Sequence, residues 1–330
     1  MGKEAGKFSS QFVDLSKVKT YPLAERKSLV RRQDLAPAVR WREVDSLAFL
    51  FPQILKGKDL REVREAIVSA VAGGKPVLWG LGAHVIKCGL SPLIIDLMEH
   101  GAVSCLAMNG AGAVHDFEMA FLGQTSEDVA AELESGRFGM AQETGAFLNN
   151  AWKRYVGEGV GLGEAMGRAL SERPLPHGEL SLVGNAYRLG IPVTLHVALG
   201  TDIVHMHPGA DGAAIGLGTM NDFRLFTGVL SGMGDGGVYL NVGSAVVLPE
   251  VFLKAVSLAR NLGYPVRNFT TVNLDMISHY RPQTNVVQRP TSAGGKGYSL
   301  IGHHEIMIPL LYQLVVEGLE RVRGSGGPDL

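Results

Sequence analysis

Apolar residues recur along the chain in two patterns, one typical of amphipathic helices and one typical of buried strands. Residues 60–72 have the apolar spacing of a helix, and the glycine pair that follows predicts its end. A short apolar run over 76–80 predicts a buried strand, followed by a glycine turn and a helix over 91–100. The run over 102–108 is again followed by a glycine turn and a helix. Strand, glycine turn and helix in repetition indicate a parallel sheet covered by helices.

The same pattern continues in the second half of the chain. It predicts strands over 191–199, 237–242 and 269–274, and helices over 248–262 and 306–317. Residues 279–297 are rich in Pro, Gln and Gly, which predicts a long ordered loop near a functional site. We therefore expect an α/β fold, with a mostly parallel sheet and helices on both faces, in one domain over residues 45–330. Residues 1–44 are polar and predict an arm or helix that packs on this domain or on another subunit.

Composition narrows the functional classes. The 31 basic and 32 acidic residues give a net charge of -1, without the basic excess typical of nucleic-acid binding. No apolar run is long enough to span a membrane, and the first residues lack the apolar core of a signal peptide. The two cysteines, Cys88 and Cys105, predict free thiols in a reducing compartment. We expect a cytoplasmic protein that acts on a small molecule.

Candidate binding residues lie where predicted strands end, because open α/β sheets bind ligands at the carboxyl ends of their strands. Glycines there let a backbone approach a phosphate, and the helix that follows offers free N–H groups. These positions predict contacts with a phosphate or a ring, and the candidate cofactor-binding residues are Gly82, His84, Asn109, Gly110, Gly112, Asp202, Gly243, Ser244, Asp275 and His303.

Residues 107–117 (AMNGAGAVHDF), followed by 121–123 (FLG), resemble a segment of the deoxyhypusine synthases. Other stretches of the chain follow in that family's order, namely 82–99, 190–193, 248–261 and 303–311. The resemblance covers roughly residues 45–320 and implies a Rossmann-like fold, NAD as cofactor and assembly as a homotetramer. Members of the family oxidise spermidine and transfer its aminobutyl group to a lysine of a translation factor, through an imine on an enzyme lysine.

The chain departs from this family at the residues that carry its chemistry. The catalytic lysine belongs to a Trp-Gly-Lys motif, but the matching region, 287–290, reads Val-Gln-Arg-Pro. Lys296 is the only lysine nearby. Where the family has two successive glutamates, this chain has Val114 and His115, while Asp116 matches the family's acidic position. Deoxyhypusine synthesis itself is therefore not expected, and the chain resembles a divergent relative with altered chemistry.

Three functional hypotheses stay open. The first is an NAD-linked enzyme that oxidises an amine or alcohol or transfers a group at it, because a histidine titrates in the right range for acid–base catalysis. Its candidate catalytic residues are His115, Asp116, His205 and Lys296. The second is a metal-dependent hydrolase or lyase with a zinc-type ion, whose candidate ligands are His84, His205 and His207. The third is a non-catalytic protein that binds a ligand on the same scaffold.

Overall fold

A computed structural model describes residues 18–19, 22, 25, 31–37, 40 and 44–324 of the 330-residue chain. The arm predicted over residues 1–44 lies largely outside the described residues. The domain boundary at residue 45 therefore stays a prediction, and the fold below concerns residues 44–324.

One parallel sheet runs through the described part of the chain. Its six strands are β1 (Val77–Leu81), β2 (Cys105–Asn109), β3 (Val193–His196), β4 (Val238–Val242), β5 (Thr270–Asp275) and β6 (Lys296–Ile301). They lie in the order β3-β2-β1-β4-β5-β6. Every residue of β1 and β4 is buried, as in central strands that are covered on both faces. The predicted Rossmann-like α/β fold is confirmed.

Helices connect the strands and cover both faces of the sheet. The described helices are α1 (Leu55–Ala72), α2 (His84–Lys87), α3 (Ser91–Glu99), α4 (Gly110–Leu122), α5 (Val129–Leu133), α6 (Gln142–Tyr155), α7 (Leu162–Glu172), α8 (Leu182–Arg188), α9 (Gly212–Leu230), α10 (Val247–Asn261), α11 (Tyr280–Pro282) and α12 (His304–Gly324). The four helices predicted by range correspond to α1, α3, α10 and α12, although α1 and α12 extend beyond the prediction. None of the described helices combines the length and apolar character needed to cross a membrane.

Alternate strand residues point to opposite faces of the sheet and build two hydrophobic cores. In β1, Trp79 packs into the core on the side of α1, α3 and α12, whereas Leu78 packs into the core beside α9 and α10. On the second face the ring of Tyr239 in β4 stacks on Phe252 in α10, with centroids 3.8 Å apart. The two cores hold the strands in place, so that all six carboxyl ends lie at one edge.

Residues 279–297 contain helical structure rather than the predicted loop. After α11 the chain forms a π-helix over Gln283–Gln288, and Thr271 in β5 donates a hydrogen bond of 2.8 Å to the Val286 carbonyl. Strand β6 begins at Lys296 and is an edge strand with alternating burial. The exposed Lys296 and the partly exposed Ser299 interrupt its apolar run, so the sequence pattern did not predict this strand.

Candidate functional site

The carboxyl ends of β1 and β4 meet where the strand order reverses, which is where open α/β sheets form a ligand crevice. Gly82 follows β1, and Gly243 follows β4 with a φ of +67°. A Cβ atom at Gly82 would lie 2.0 Å from the Gly243 carbonyl oxygen, so the two turns touch backbone to backbone. The structure thus brings together three of the predicted cofactor residues, Gly82, Gly243 and Ser244.

The turn after β4 leads into α10 with unused hydrogen-bond donors. Ser244 accepts a hydrogen bond of 3.3 Å from the Leu248 amide through its hydroxyl. The amides of Ser244, Ala245 and Val246 have no hydrogen-bond partner among the described residues. Free amides at the start of a long helix attract anions, since they add to the positive end of the helix dipole. The side chain of Val246 is 50% exposed, so this helix start is accessible from solvent.

His304, at the start of α12, lines the same crevice. Its ring would be 2.9 Å from a Cβ atom at Gly243, and it lies 5.4 Å from the His84 ring, measured between centroids. Burial lowers the pKa of His304, so the imidazole is neutral and its Nε2–H donates to the Leu274 carbonyl at 3.3 Å. Its Nδ1 is buried without a partner. The predicted residue, His303, is instead largely exposed.

Asp275 ends β5 beside this crevice. One oxygen of its carboxylate accepts a hydrogen bond of 2.7 Å from the Met276 amide, and its backbone carbonyl accepts one of 3.0 Å from Gly302. The second carboxylate oxygen accepts no hydrogen bond from any residue that the structure describes. Asp275 therefore offers one free acceptor near the ends of β4 and β6.

The glycine turn before α4 is already occupied by side chains of the protein. Asn109 caps the helix by accepting a hydrogen bond of 3.0 Å from the Gly112 amide. The Asp202 carboxylate accepts from the Ala111 amide and fills the space at Gly110, where a Cβ atom would lie 2.2 Å from its Oδ2. Burial raises the pKa of Asp202. Because the Asp202 carboxylate and the Asn109 side chain already accept from the Ala111 and Gly112 amides, these two amides are not free for the predicted phosphate contact.

A cavity of about 230 Å³ opens beside α4, between α2 and the segment 201–203. Polar side chains line it, namely Lys87, His115, Glu118, Glu127 and Asp202. Two of the predicted site residues, His115 and Asp202, therefore converge here, next to Ala111 of α4.

His115 and Glu118 are linked through a threonine. Thr125 donates a hydrogen bond of 2.5 Å to Glu118, and the His115 Nδ1 lies 2.6 Å from the same hydroxyl oxygen. Burial alone would raise the pKa of Glu118, but the nearby His115 ring and the hydrogen bond from Thr125 outweigh it and lower the pKa. Glu118 is therefore ionised and Thr125 must donate to it, which leaves the His115 Nδ1–H to donate to Thr125. The Nε2 of a neutral His115 is then free to accept a proton.

Three predicted catalytic residues lie outside this group, namely Asp116, His205 and Lys296. Asp116 is fully buried and accepts hydrogen bonds from the Ser181 hydroxyl at 2.6 Å and the Leu182 amide at 2.5 Å. Asp116 thus accepts hydrogen bonds at the start of α8 from its position on α4, and this role is structural. Lys296 begins β6, so it lies at the amino edge of the sheet, 3.9 Å from Glu62 with a side chain 70% exposed. It is therefore at the opposite edge from the strand ends.

The three histidines predicted as metal ligands do not come together. The His205 Nδ1 accepts hydrogen bonds from the amides of Gly200 and Asp202, at 3.1 and 3.3 Å. The His207 Nε2 donates to the Gly139 carbonyl at 2.8 Å. Within the described ranges, His84 instead offers a ligand atom within 4.8 Å of one on Cys88 and one on Glu305. The structure therefore does not bring the three predicted histidines together, since His205 binds amides of its own loop and His207 binds the Gly139 carbonyl.

Sequence reasoning missed Glu118 and Thr125 as site residues. The i,i+3 spacing of His115 and Glu118 on α4 places them on one helix face, so Glu118 could have been found. Thr125 lies in the turn after α4, and no spacing rule indicates its contact.

No family model matches the chain, and no curated protein matches it. Among solved structures it is similar to AgrE in a ternary complex with ornithine and NAD+, with a TM-score of 0.50 and 13% identity over 82% of this chain and 34% of AgrE. Unliganded AgrE gives a TM-score of 0.51 and 16% identity over 80% and 33%. This chain thus spans about a third of the length of the AgrE structures.

A candidate deoxyhypusine synthase from Entamoeba histolytica gives a TM-score of 0.44 and 10% identity, over 79% of this chain and 88% of that one. At this level of similarity the deoxyhypusine synthase family is a resemblance and is not shown. The likeness to AgrE establishes the fold, which is a Rossmann-like α/β sheet shared with a protein solved with NAD+ bound.

Proposed function

We propose that this protein is a small-molecule enzyme that uses a nicotinamide dinucleotide to oxidise an amine or an alcohol, or to transfer a group at it. The observation that carries the proposal is the row of free amides at Ser244, Ala245 and Val246, at the point where the strand order reverses. AgrE, which has the same fold, was solved with NAD+ and ornithine, which supports a cofactor of this class.

The residues around the crevice fit a dinucleotide. The α10 amides would hold the pyrophosphate, as helix N-termini do in other dinucleotide-binding sheets. The free oxygen of Asp275 would accept a hydrogen bond from a ribose hydroxyl, and the His304 Nδ1 would accept one from a further N–H or O–H of the cofactor. When bound, NAD+ supplies a hydride acceptor.

His115 would act as the general base in the cavity beside α4. Its Nε2 would take a proton from an amine or hydroxyl of the substrate, and the positive charge would be stabilised by ionised Glu118 through Thr125. The other cavity side chains, Lys87, Glu127 and Asp202, offer partners of both charges, which suits a small substrate with an amine. The exposed Lys296 at the far edge gives no support to chemistry through a lysine imine.

Several finer expectations accompany this proposal. Assembly as a homotetramer and a cytoplasmic location, both expected from the sequence, stay predictions. Binding of the cofactor without turnover of any amine or alcohol would point instead to a non-catalytic ligand-binding protein.

Val246→Asp is expected to weaken NAD+ binding at least ~10-fold, because a carboxylate beside the pyrophosphate repels it by ~1.4 kcal/mol or more. The fold should be unaffected, since Val246 is the half-exposed N-cap of α10 and Asp is favoured there. The matched control is Val246→Asn, which has the same shape and no charge and should bind within ~3-fold of the parent. Equilibrium dialysis gives all three affinities.

Failure to bind NAD+ at about 1 mM would remove the dinucleotide proposal altogether. Equal affinities for the Asp and Asn variants would show that the dinucleotide does not use the start of α10.

A further inference from the structure

Three side chains that differ in chemistry converge outside the cavity beside α4. His84, Cys88 and Glu305 each offer a ligand atom within 4.8 Å of the other two. We call these three residues the α2–α12 cluster. It belongs to the edge at which β1 and β6 end, since α2 follows β1 and α12 follows β6.

The backbone holds two members of the cluster in a fixed relation. His84 and Cys88 are four residues apart on one helical turn, and the Cys88 amide donates to the His84 carbonyl at 2.9 Å. Residues at this spacing share one face of a helix. Histidine and cysteine on one turn therefore present nitrogen and sulfur to the same point without any rearrangement of the chain.

The third member comes from the first turn of α12. Glu305 directly follows His304, which is buried and anchors the start of this helix. One carboxylate oxygen of Glu305 lies 3.8 Å from the Cys88 sulfur, while the other lies 3.8 Å from the His303 Nδ1.

These distances are close to those of a coordinated ion. Zinc bonds of 2.0–2.3 Å in a tetrahedron place neighbouring ligand atoms ~3.6 Å apart. The sulfur–oxygen distance of 3.8 Å already meets this value, and the remaining separation is within the reach of side-chain rotation. Nitrogen, sulfur and carboxylate oxygen are the three ligand types that zinc prefers in proteins.

Charge also favours an ion at this point. A thiolate from Cys88 and the carboxylate of Glu305 together would neutralise the two positive charges of a divalent cation.

We propose that His84, Cys88 and Glu305 bind one zinc-type divalent ion, with a fourth coordination position open to solvent. The Glu305 side chain is 52% exposed, so an ion can enter and a water molecule can complete the coordination. This site differs from the histidine set expected from the sequence, and it goes beyond the proposed dinucleotide function and does not depend on it.

The test uses full-length protein purified without an affinity tag and stripped of metal with EDTA. Titration with Zn²⁺ against a chromophoric chelator should give one equivalent, with a Kd of about 1 µM or below. Titration with Co²⁺ should give the absorbance band of a thiolate-bound ion. Cys88→Ala should lose this band and bind Zn²⁺ at least ~100-fold more weakly, and Glu305→Gln should keep the band but bind ~10-fold more weakly or worse.

Cys105→Ala is the matched control, because it removes the other cysteine, which is buried in β2 away from the cluster. It should bind both ions as the parent does, and thermal melts should show whether each variant is folded. The proposal is overturned if the parent takes up no stoichiometric Zn²⁺, or if a folded Cys88→Ala variant binds it unchanged. Val246→Asp should leave Zn²⁺ binding intact, so that failure of one proposal is distinguishable from failure of the other.

Discussion

Asp222→Ala should destabilise the protein by about 3–5 kcal/mol, because it removes a buried acceptor that serves two separate elements. The Asp222 side chain in α9 is fully buried. One of its oxygens accepts hydrogen bonds from the Leu195 amide at 2.9 Å and from the Gly163 amide at 3.1 Å. Alanine would leave both amides buried and unpaired, at the end of β3 and the start of α7.

Asp222→Asn is the matched variant, since its amide oxygen can take the place of the accepting carboxylate oxygen. Burial raises the pKa of Asp222 to about 7, against the opposing hydrogen bonds from Leu195 and Gly163. The folded state therefore holds this proton more tightly than the unfolded chain, and the group's contribution to stability is lost as pH rises from about 4 to about 7. Asparagine cannot titrate, so it lacks this dependence.

The two variants give a pH prediction with a definite sign. Relative to the parent, Asp222→Asn should cost about 2–3 kcal/mol more at pH 5 than at pH 8. His196, whose pKa burial lowers to about 3, has the opposite dependence, but it is present in both proteins and cancels from the comparison. Urea unfolding at both pH values measures the difference. A constant difference between the proteins would show that Asp222 is ionised throughout.

The sequence predicted well the strands that are buried on both faces of the sheet. Central strands β1 and β4 are buried at every position and mostly apolar, so both were predicted within a residue or two. Strand β6 was not predicted, because an edge strand that contains Lys296 and Ser299 is only partly apolar. The π-helix was not predicted either, because the spacing of apolar residues in the sequence does not indicate its hydrogen-bond pattern.

The candidate site was predictable to the level of strand ends and no further. Gly82 and Gly243 were found because glycine turns after strands mark the crevice. The sequence could not indicate that Asp202, nearly a hundred residues downstream, occupies the helix start at Gly110. Because Asp202 occupies the start of α4, we expect an anion to bind at the start of α10 instead. Which side chain fills a helix start depends on how distant loops pack, and the apolar pattern of neighbouring residues does not indicate this.

Gly82→Ala should both destabilise the fold by about 3 kcal/mol and weaken NAD+ binding at least ~10-fold. The added methyl would lie 2.0 Å from the Gly243 carbonyl oxygen and 2.6 Å from its carbon, so backbone atoms rather than a flexible side chain must move. Gly82 has no left-handed backbone requirement, and its effect is therefore steric alone. Separation of the two turns would displace the Ser244 amide that we assign to the pyrophosphate.

Gly216→Ala provides the control, because Gly216 lies within α9 and a Cβ atom there would meet nothing within 4 Å. Alanine is favoured over glycine in a helix, so the free energy of unfolding of this variant should rise by up to ~1 kcal/mol. Its affinity for NAD+ should be unchanged. Urea unfolding and equilibrium dialysis on both variants separate the two effects. If Gly82→Ala unfolds like the parent, the turns after β1 and β4 are not in contact in solution. If it is destabilised yet binds NAD+ normally, the contact is structural and the dinucleotide lies elsewhere, because the free amides of α10 depend on Gly243 for their position.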